Sequence, residues 1–131
     1  MKKLLLILVS VFFICGCGEL EETPKVINID STSVQEIIAN NNYVIIDVRE
    51  ESEYNTEHVK GSINIPVGSI EDIEDRVAKS VEVIVYCKSG NRSKTAASRI
   101  VELGYEKVYD LGGITSITLE KVSGDEENEV S

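Results

Sequence analysis

The stretch "IVYCKSGNRSKTAASRI", Ile84 to Ile100, decides how the chain folds. Behind its cysteine, Val83, Ile84, Val85 and Tyr86 form a short β-branched and aromatic run, the pattern of a buried strand. Beyond Arg92 the pattern changes. Ser93, Ala96, Ala97, Ile100, Val101 and Leu103 recur at helical spacing until Gly104 stops them. Cys87 therefore closes a strand, and the residues after it turn directly into a helix. The first amides of a helix lack internal partners and carry the positive end of its dipole, so such a turn is a ready anion site. Gly90 and Asn91 tolerate positive φ, which lets successive N–H groups curl into a nest, and Lys88 and Arg92 add whole charges beside it. A cysteine at the rim of a nest ionises readily, and its thiolate is a nucleophile. The plainer reading of Cys87 is an inert thiol at a strand end.

Working outward, strand and helix signals alternate. "KVINI" reads as a short strand, and Ser33 with Glu36 as a capping box for a helix that buries Val34, Ile37 and Ile38. Tyr43 to Asp47, "YVIID", is apolar on both faces, as a covered parallel strand must be. A short polar helix is predicted at Glu51 to Thr56 and an extended piece at Ser62 to Ile65. A further helix has Ile70, Ile73 and Val77 as its inner stripe, and a last strand runs from Lys107 to Leu111. This density of alternation predicts an α/β fold, a three-layer α/β/α arrangement around a mainly parallel sheet. Ligands of such sheets bind beyond the carboxyl ends of the strands. The Cys87 loop, "DVR" at Asp47 to Arg49 and "GGI" at Gly112 to Ile114 are all expected at that edge.

The ends of the chain read differently. The 131 residues suffice for one domain. Lys2 and Lys3 precede an apolar run, Leu4 to Ile14, that suits a signal peptide and is too short to span a membrane. "ICGC", Ile14 to Cys17, resembles the bacterial lipoprotein box, which implies cleavage after Gly16 and a lipid on Cys17 that anchors an extracytoplasmic domain to a bacterial membrane. Residues 1–16 are then the signal, 17–25 an acidic linker, 26–120 the domain and 121–131 an acidic, disordered tail. Cys87 would stand as the only free thiol of the mature chain, which rules out an internal disulfide and leaves pairing with a partner's cysteine open. It is expected to be exposed. The formal charge of −10, with scattered bases and no basic stripe, argues against nucleic-acid binding.

"IIDVREESEYNTEHVKGSINIP" and "VIVYCKSGNRSKTAASRIVELGYEKVYDLGGI", in this order, resemble a single-domain rhodanese, a sulfurtransferase, over roughly residues 26 to 116. The resemblance implies a persulfide cycle without a cofactor. Cys87 would take sulfane sulfur from thiosulfate or a persulfide donor and hand it to a thiol or protein acceptor. Lys88, Ser89, Gly90, Asn91, Arg92 and Ser93 would bind the donor and steady the developing charge. Asp47 and Arg49 would organise the loop edge. His58, the only histidine, excludes a multi-histidine metal site and is read as structural rather than as the partner of Cys87. Tyrosine-phosphatase-like loops place one residue more between nucleophile and arginine, so phosphatase or arsenate-reductase-like chemistry is the alternative enzyme. A binding or sulfur-delivery module is the alternative outside catalysis. Glu57, where many relatives have glycine, and "GGITSITLEK", without the usual aromatic residue, depart from the family pattern and leave the C-terminal helix open.

Overall fold

The computed structural model describes residues 25–124. The expected signal peptide, Cys17 and nearly all of the linker lie outside the described residues, as do residues 125–131 of the expected tail. No helix of the described residues is long and apolar enough to cross a membrane.

In chain order the elements are β1 (Val26–Asn28), α1 (Val34–Ala39), β2 (Tyr43–Asp47), α2 (Glu51–Thr56), β3 (His58–Val59), β4 (Ile63–Asn64), a 310 segment (Val67–Asp75), β5 (Glu82–Cys87), α3 (Asn91–Glu102), β6 (Val108–Gly113), a 310 turn (Ile114–Ser116) and β7 (Lys121–Val122). Five strands make one sheet in the order β1-β6-β5-β2-β4, with every neighbouring pair parallel. The three-layer reading of the sequence holds.

Side chains alternate across β2 and β5, so each strand feeds two cores. Ile46, Val83, Val85 and Cys87 face α3 and the 310 segment, packing with Ala96, Ala97, Ile100, Ile70 and Ile73. Ile45, Ile84 and Tyr86 face the other way, against Val34 and Ile37 of α1 and against Val59, Leu111, Ile114 and Ile117. Each fully buried isoleucine here removes apolar surface worth about 1.5–3 kcal/mol from water. Ala96 and Ala97 have no exposure, and their small side chains let α3 lie close on the sheet.

Helix α3 ends as its glycine predicts. Gly104 takes φ +102, its N–H donates to Val101 O at 3.0 Å and the Tyr105 N–H reaches Ile100 O at 3.4 Å, a Schellman closure. Tyr105 is then buried, its hydroxyl donating to Ile73 O at 3.1 Å and Val77 O at 2.6 Å.

Several expectations change. Ser33 makes no side-chain cap and is itself helical, because the chain already turns three residues earlier: the Asp30 carboxylate takes the Ser33 N–H at 2.8 Å and its carbonyl takes the Val34 N–H. That bond, with the Ser33 hydroxyl, holds the Asp30 carboxyl below its usual range. The capping box falls on α2, where Glu50 and Glu53 satisfy one another's backbone amides. Ile70 and Ile73 are buried as expected but on a 310 path interrupted at Ser69, where residues three apart eclipse. The domain also outruns its expected end at residue 120, because Lys121–Val122 pairs antiparallel with His58–Val59. A 310 turn and this strand stand where the sequence left a C-terminal helix open.

Gly104→Ala tests the α3 closure. A Cβ there meets nothing closer than Lys79 Nζ at 3.7 Å, so the cost is backbone strain alone. Urea denaturation is expected to show a loss of about 1–2 kcal/mol, and an unchanged midpoint would show that the turn relaxes freely.

Candidate active site

Cys87 ends β5 directly opposite Gly113 of β6, and only Lys88, Ser89 and Gly90 separate it from α3. Gly90 adopts φ +102, a left-handed conformation that L side chains rarely take. This lets the chain fold back over its own cysteine. The Gly90 N–H donates to Cys87 Sγ at 3.0 Å, and Ser93 Oγ lies 3.5 Å from the sulfur while donating to Gly90 O at 3.2 Å. Asn91 is the first residue of α3, so Gly90 alone supplies the positive φ expected of both.

The thiol is not exposed. Cys87 has 0% exposure, contrary to expectation, because Gly113 and α3 close over the strand end. Burial pushes its pKa up, but the Ser93 hydroxyl and the amides of Ser93, Gly90 and Ser89 outweigh burial and leave the thiol below its ordinary value. The Ser93 hydroxyl is a rotor, so it accepts from the thiol and can donate to the thiolate.

Of the remaining loop residues, Lys88, Ser89 and Asn91 are exposed. Arg92 turns toward α2: Nη1 donates to Glu53 Oε1 at 2.7 Å and Nη2 to Oε2 at 3.1 Å. This pairing holds the Glu53 carboxyl down at about 2, the Arg92 hydrogen bond being the main cause, and raises the Arg92 pKa.

Asp47 and Arg49 sit one layer away from the sulfur. Asp47 is in register with Tyr86, whose side chain lies on the sheet face opposite Cys87. Arg49 Nε donates to Asp47 Oδ1 at 3.0 Å, Nη2 donates to Oδ2 at 2.7 Å, and Nη2 also reaches the Glu57 carbonyl at 2.5 Å. The Tyr86 hydroxyl donates to Asp47 Oδ2 at 2.8 Å and takes the Val59 N–H at 2.9 Å, and burial pushes its pKa up. Asn64 Nδ2 adds bonds to the Asp47 and Arg49 carbonyls, both at 2.9 Å. His58 is buried with its ring stacked on Tyr54 at 3.7 Å and Nδ1 2.9 Å from Tyr54 O. Among the described residues no His, Cys, Asp and Glu gather into a group able to hold a metal ion.

The third expected feature does reach the loop. Gly112 takes φ +88, and a Cβ on Gly113 would stand 2.6 Å from Lys88 O and 3.1 Å from Ser89 Cα. Gly113 is therefore the floor on which the Cys87 loop rests.

A family profile for the rhodanese-like domain matches residues 30–120. The chain belongs to that family. Among similar proteins is the thiosulfate sulfurtransferase PspE of Escherichia coli (strain K12), 39% identical over 84 residues that span 60% of this chain and 78% of that protein. The thiosulfate sulfurtransferase GlpE of Coxiella burnetii is 31% identical over 78 residues, spanning 60% of this chain and 73% of its own. Among solved structures, a rhodanese with anions from E. coli is 40% identical with a TM-score of 0.60, over 63% of this chain and 99% of that one.

In this rhodanese-like domain, sequence reasoning missed Glu53. It sits in an acidic run, "REESEY", where nothing marks one carboxylate above its neighbours. The one available signal is the Glu50/Glu53 spacing, a capping box masked by a glutamate in the place where serine or threonine is usual.

Gly113→Ala tests the floor of the loop. The added methyl must displace the Lys88–Ser89 peptide, and alkylation of Cys87 by iodoacetamide at neutral pH is expected to change at least threefold, on the scale of catalytic-group misplacement, with the protein still folded. An unchanged rate would mean that the loop yields without disturbing the sulfur.

Proposed function

We propose that the protein is a sulfurtransferase that carries sulfane sulfur on Cys87. The observation that carries this reading is the Gly90 N–H on Cys87 Sγ at 3.0 Å, in a turn that opens helix α3 and lowers the thiol's pKa. The thiosulfate sulfurtransferases among its relatives support the same chemistry.

In the first half-reaction the Cys87 thiolate attacks the outer sulfur of thiosulfate. A new S–S bond forms at Cys87, the S–S bond of thiosulfate breaks, and sulfite leaves with the electron pair. The charge that appears on the outer sulfur of Cys87–S–S⁻ then needs donors already in place, and the amides of Ser89, Gly90 and Ser93 are the nearest candidates. In the second half-reaction a thiophile such as cyanide or a thiolate attacks that outer sulfur, and Cys87 leaves as the thiolate. No external oxidant or reductant enters. Lys88, exposed on the loop, would meet an anionic donor, and Asp47 and Arg49 tie β2 to the C-terminal end of α2.

The burial of Cys87 favours one second reading, a sulfur-delivery module whose loop opens only against a protein partner. For localisation we propose export and attachment through lipid on Cys17, supported by the lipoprotein-like box alone.

Two measurements check these readings. Intact mass after thiosulfate exposure is expected to rise by one sulfur atom, to return with cyanide and to stay constant in Cys87→Ser; no gain with any sulfane donor leaves the delivery module as the better account. Metabolic labelling with palmitate is expected in the bacterial host and is lost in Cys17→Ser; an unlabelled wild-type protein removes the anchor.

A further inference from the structure

By spacing, Arg92 is the cation that closes the Cys87 loop, yet its guanidinium is spent on a carboxylate. Both Nη atoms donate to Glu53, at 2.7 and 3.1 Å. That carboxylate is itself fixed, because its Oε1 also takes the Glu50 N–H at 3.2 Å in the capping box of α2. The far end of α2 is fixed as well, by Arg49 on the Glu57 carbonyl at 2.5 Å. Glu53 thus approaches the loop from a braced helix and meets Arg92 in a two-point geometry that a rotating side chain would not keep.

The charged groups around the thiol come from two elements. The loop and the first turn of α3 bring Lys88 and Arg92, and Arg92 lies within electrostatic reach of Cys87. The α2 end brings Glu53 and Glu50, both within reach of Arg92, and Arg49 acts on Glu53 in turn. A carboxylate at hydrogen-bond distance offsets part of a guanidinium's field a few ångströms further on. The hydrogen bonds at the sulfur itself come from the Ser93 hydroxyl and the amides of Ser93, Gly90 and Ser89.

We propose that Glu53 is a specificity-determining positioning residue: by clamping Arg92 and offsetting its charge, it sets the Cys87 loop to favour singly charged sulfur donors over dianions. The donor preference rests on the sulfurtransferase reading. The offset of Arg92 does not, because it acts on the thiol whether or not sulfur is transferred.

The test compares the full chain with Glu53→Gln, which removes the charge and keeps the shape, and with Glu51→Gln, the same change at an exposed position of the same helix. The pH dependence of Cys87 alkylation by iodoacetamide reads the thiol directly. Glu53→Gln is expected to lower the thiol's pKa by about half a unit, since a freed guanidinium favours the thiolate, and Glu51→Gln to leave it in place. Steady-state rates with thiosulfate, a dianion, and benzenethiosulfonate, a monoanion, read specificity. Glu53→Gln is expected to shift the kcat/KM ratio about threefold toward thiosulfate, mostly through KM, and to steepen its salt dependence.

A thiol pKa that stays or rises in Glu53→Gln overturns the proposal, as do equal changes for the two donors, the pattern of a clamp whose loss merely loosens the loop. Glu53→Asp, with its shorter reach, provides a second variant should the glutamine not fold; it is expected to move the thiol in the same direction by a smaller step, and no shift there also overturns the proposal. Absence of turnover with either donor in the unmutated protein overturns the sulfurtransferase reading and the donor preference with it, while the thiol titration still decides the offset.

Discussion

The turn from β5 to α3 has to satisfy a buried sulfur within three residues. Cys87 has no solvent to bond to, so whatever stabilises its thiolate must come from the polypeptide that leaves it. A left-handed glycine at position 90 closes the turn: its own N–H donates to the sulfur, and its positive φ opens α3 at once. The same conformation serves fold and chemistry, since an N-terminal turn of a helix has amides in excess. Much of the neighbourhood follows from it. Gly113 must be small because the folded-back loop brings Lys88 O against β6, and Ser93 must be small and polar because it sits under the same amides.

The second constraint lies on the other side of the sheet. Asp47 is a buried carboxylate, and a buried charge persists only with a partner and full hydrogen bonding. It has Arg49 in two-point contact and the Tyr86 hydroxyl besides. Because Tyr86 directly precedes Cys87 and is paired in register with Asp47, this network fixes the end of β5 without touching the sulfur. The guanidinium then reaches the Glu57 carbonyl at the exit of α2, the helix that presents Glu53 to Arg92. The Cys87 loop and the polar network are therefore coupled through backbone, one through each face of β5.

Sequence reading reached most of the sheet for a simple reason. Strands apolar on both faces, such as Tyr43 to Asp47 and Val83 to Tyr86, have few other homes than a covered parallel sheet. The turn at Gly90 and the stop at Gly104 were legible because a single residue type serves a single conformation there. What escaped depends on partners distant in sequence. Ser33 fails to cap α1 because the chain already turns at Asp30, whose carboxylate takes the Ser33 N–H. β7 exists because His58–Val59 offers an edge to Lys121–Val122, a pairing that two residues of pattern do not announce. Glu53 escaped for the same reason: its partner lies 39 residues away, and only the folded chain distinguishes it from the acids around it. Burial of Cys87 escaped because the floor that covers it comes from β6.

A chain of net charge −10 is an unlikely-looking host for anion chemistry, and the contradiction dissolves on a length argument. Solvent-exposed charges are screened beyond about 8 Å at physiological salt, so the acids scattered over the surface contribute little at a buried sulfur. Amides in direct contact are not screened, and the protein has no need to reorganise them as charge develops. The Cys87 thiol is consequently held by a few fixed dipoles, the Ser93 hydroxyl and the amides of Ser93, Gly90 and Ser89, with the Arg92 guanidinium held in a pair. The surface charge acts at longer range and on larger objects: it repels acidic macromolecules and speeds encounter with basic ones. Local dipoles act on whatever meets Cys87 directly, whereas the surface charge acts on which macromolecules come near.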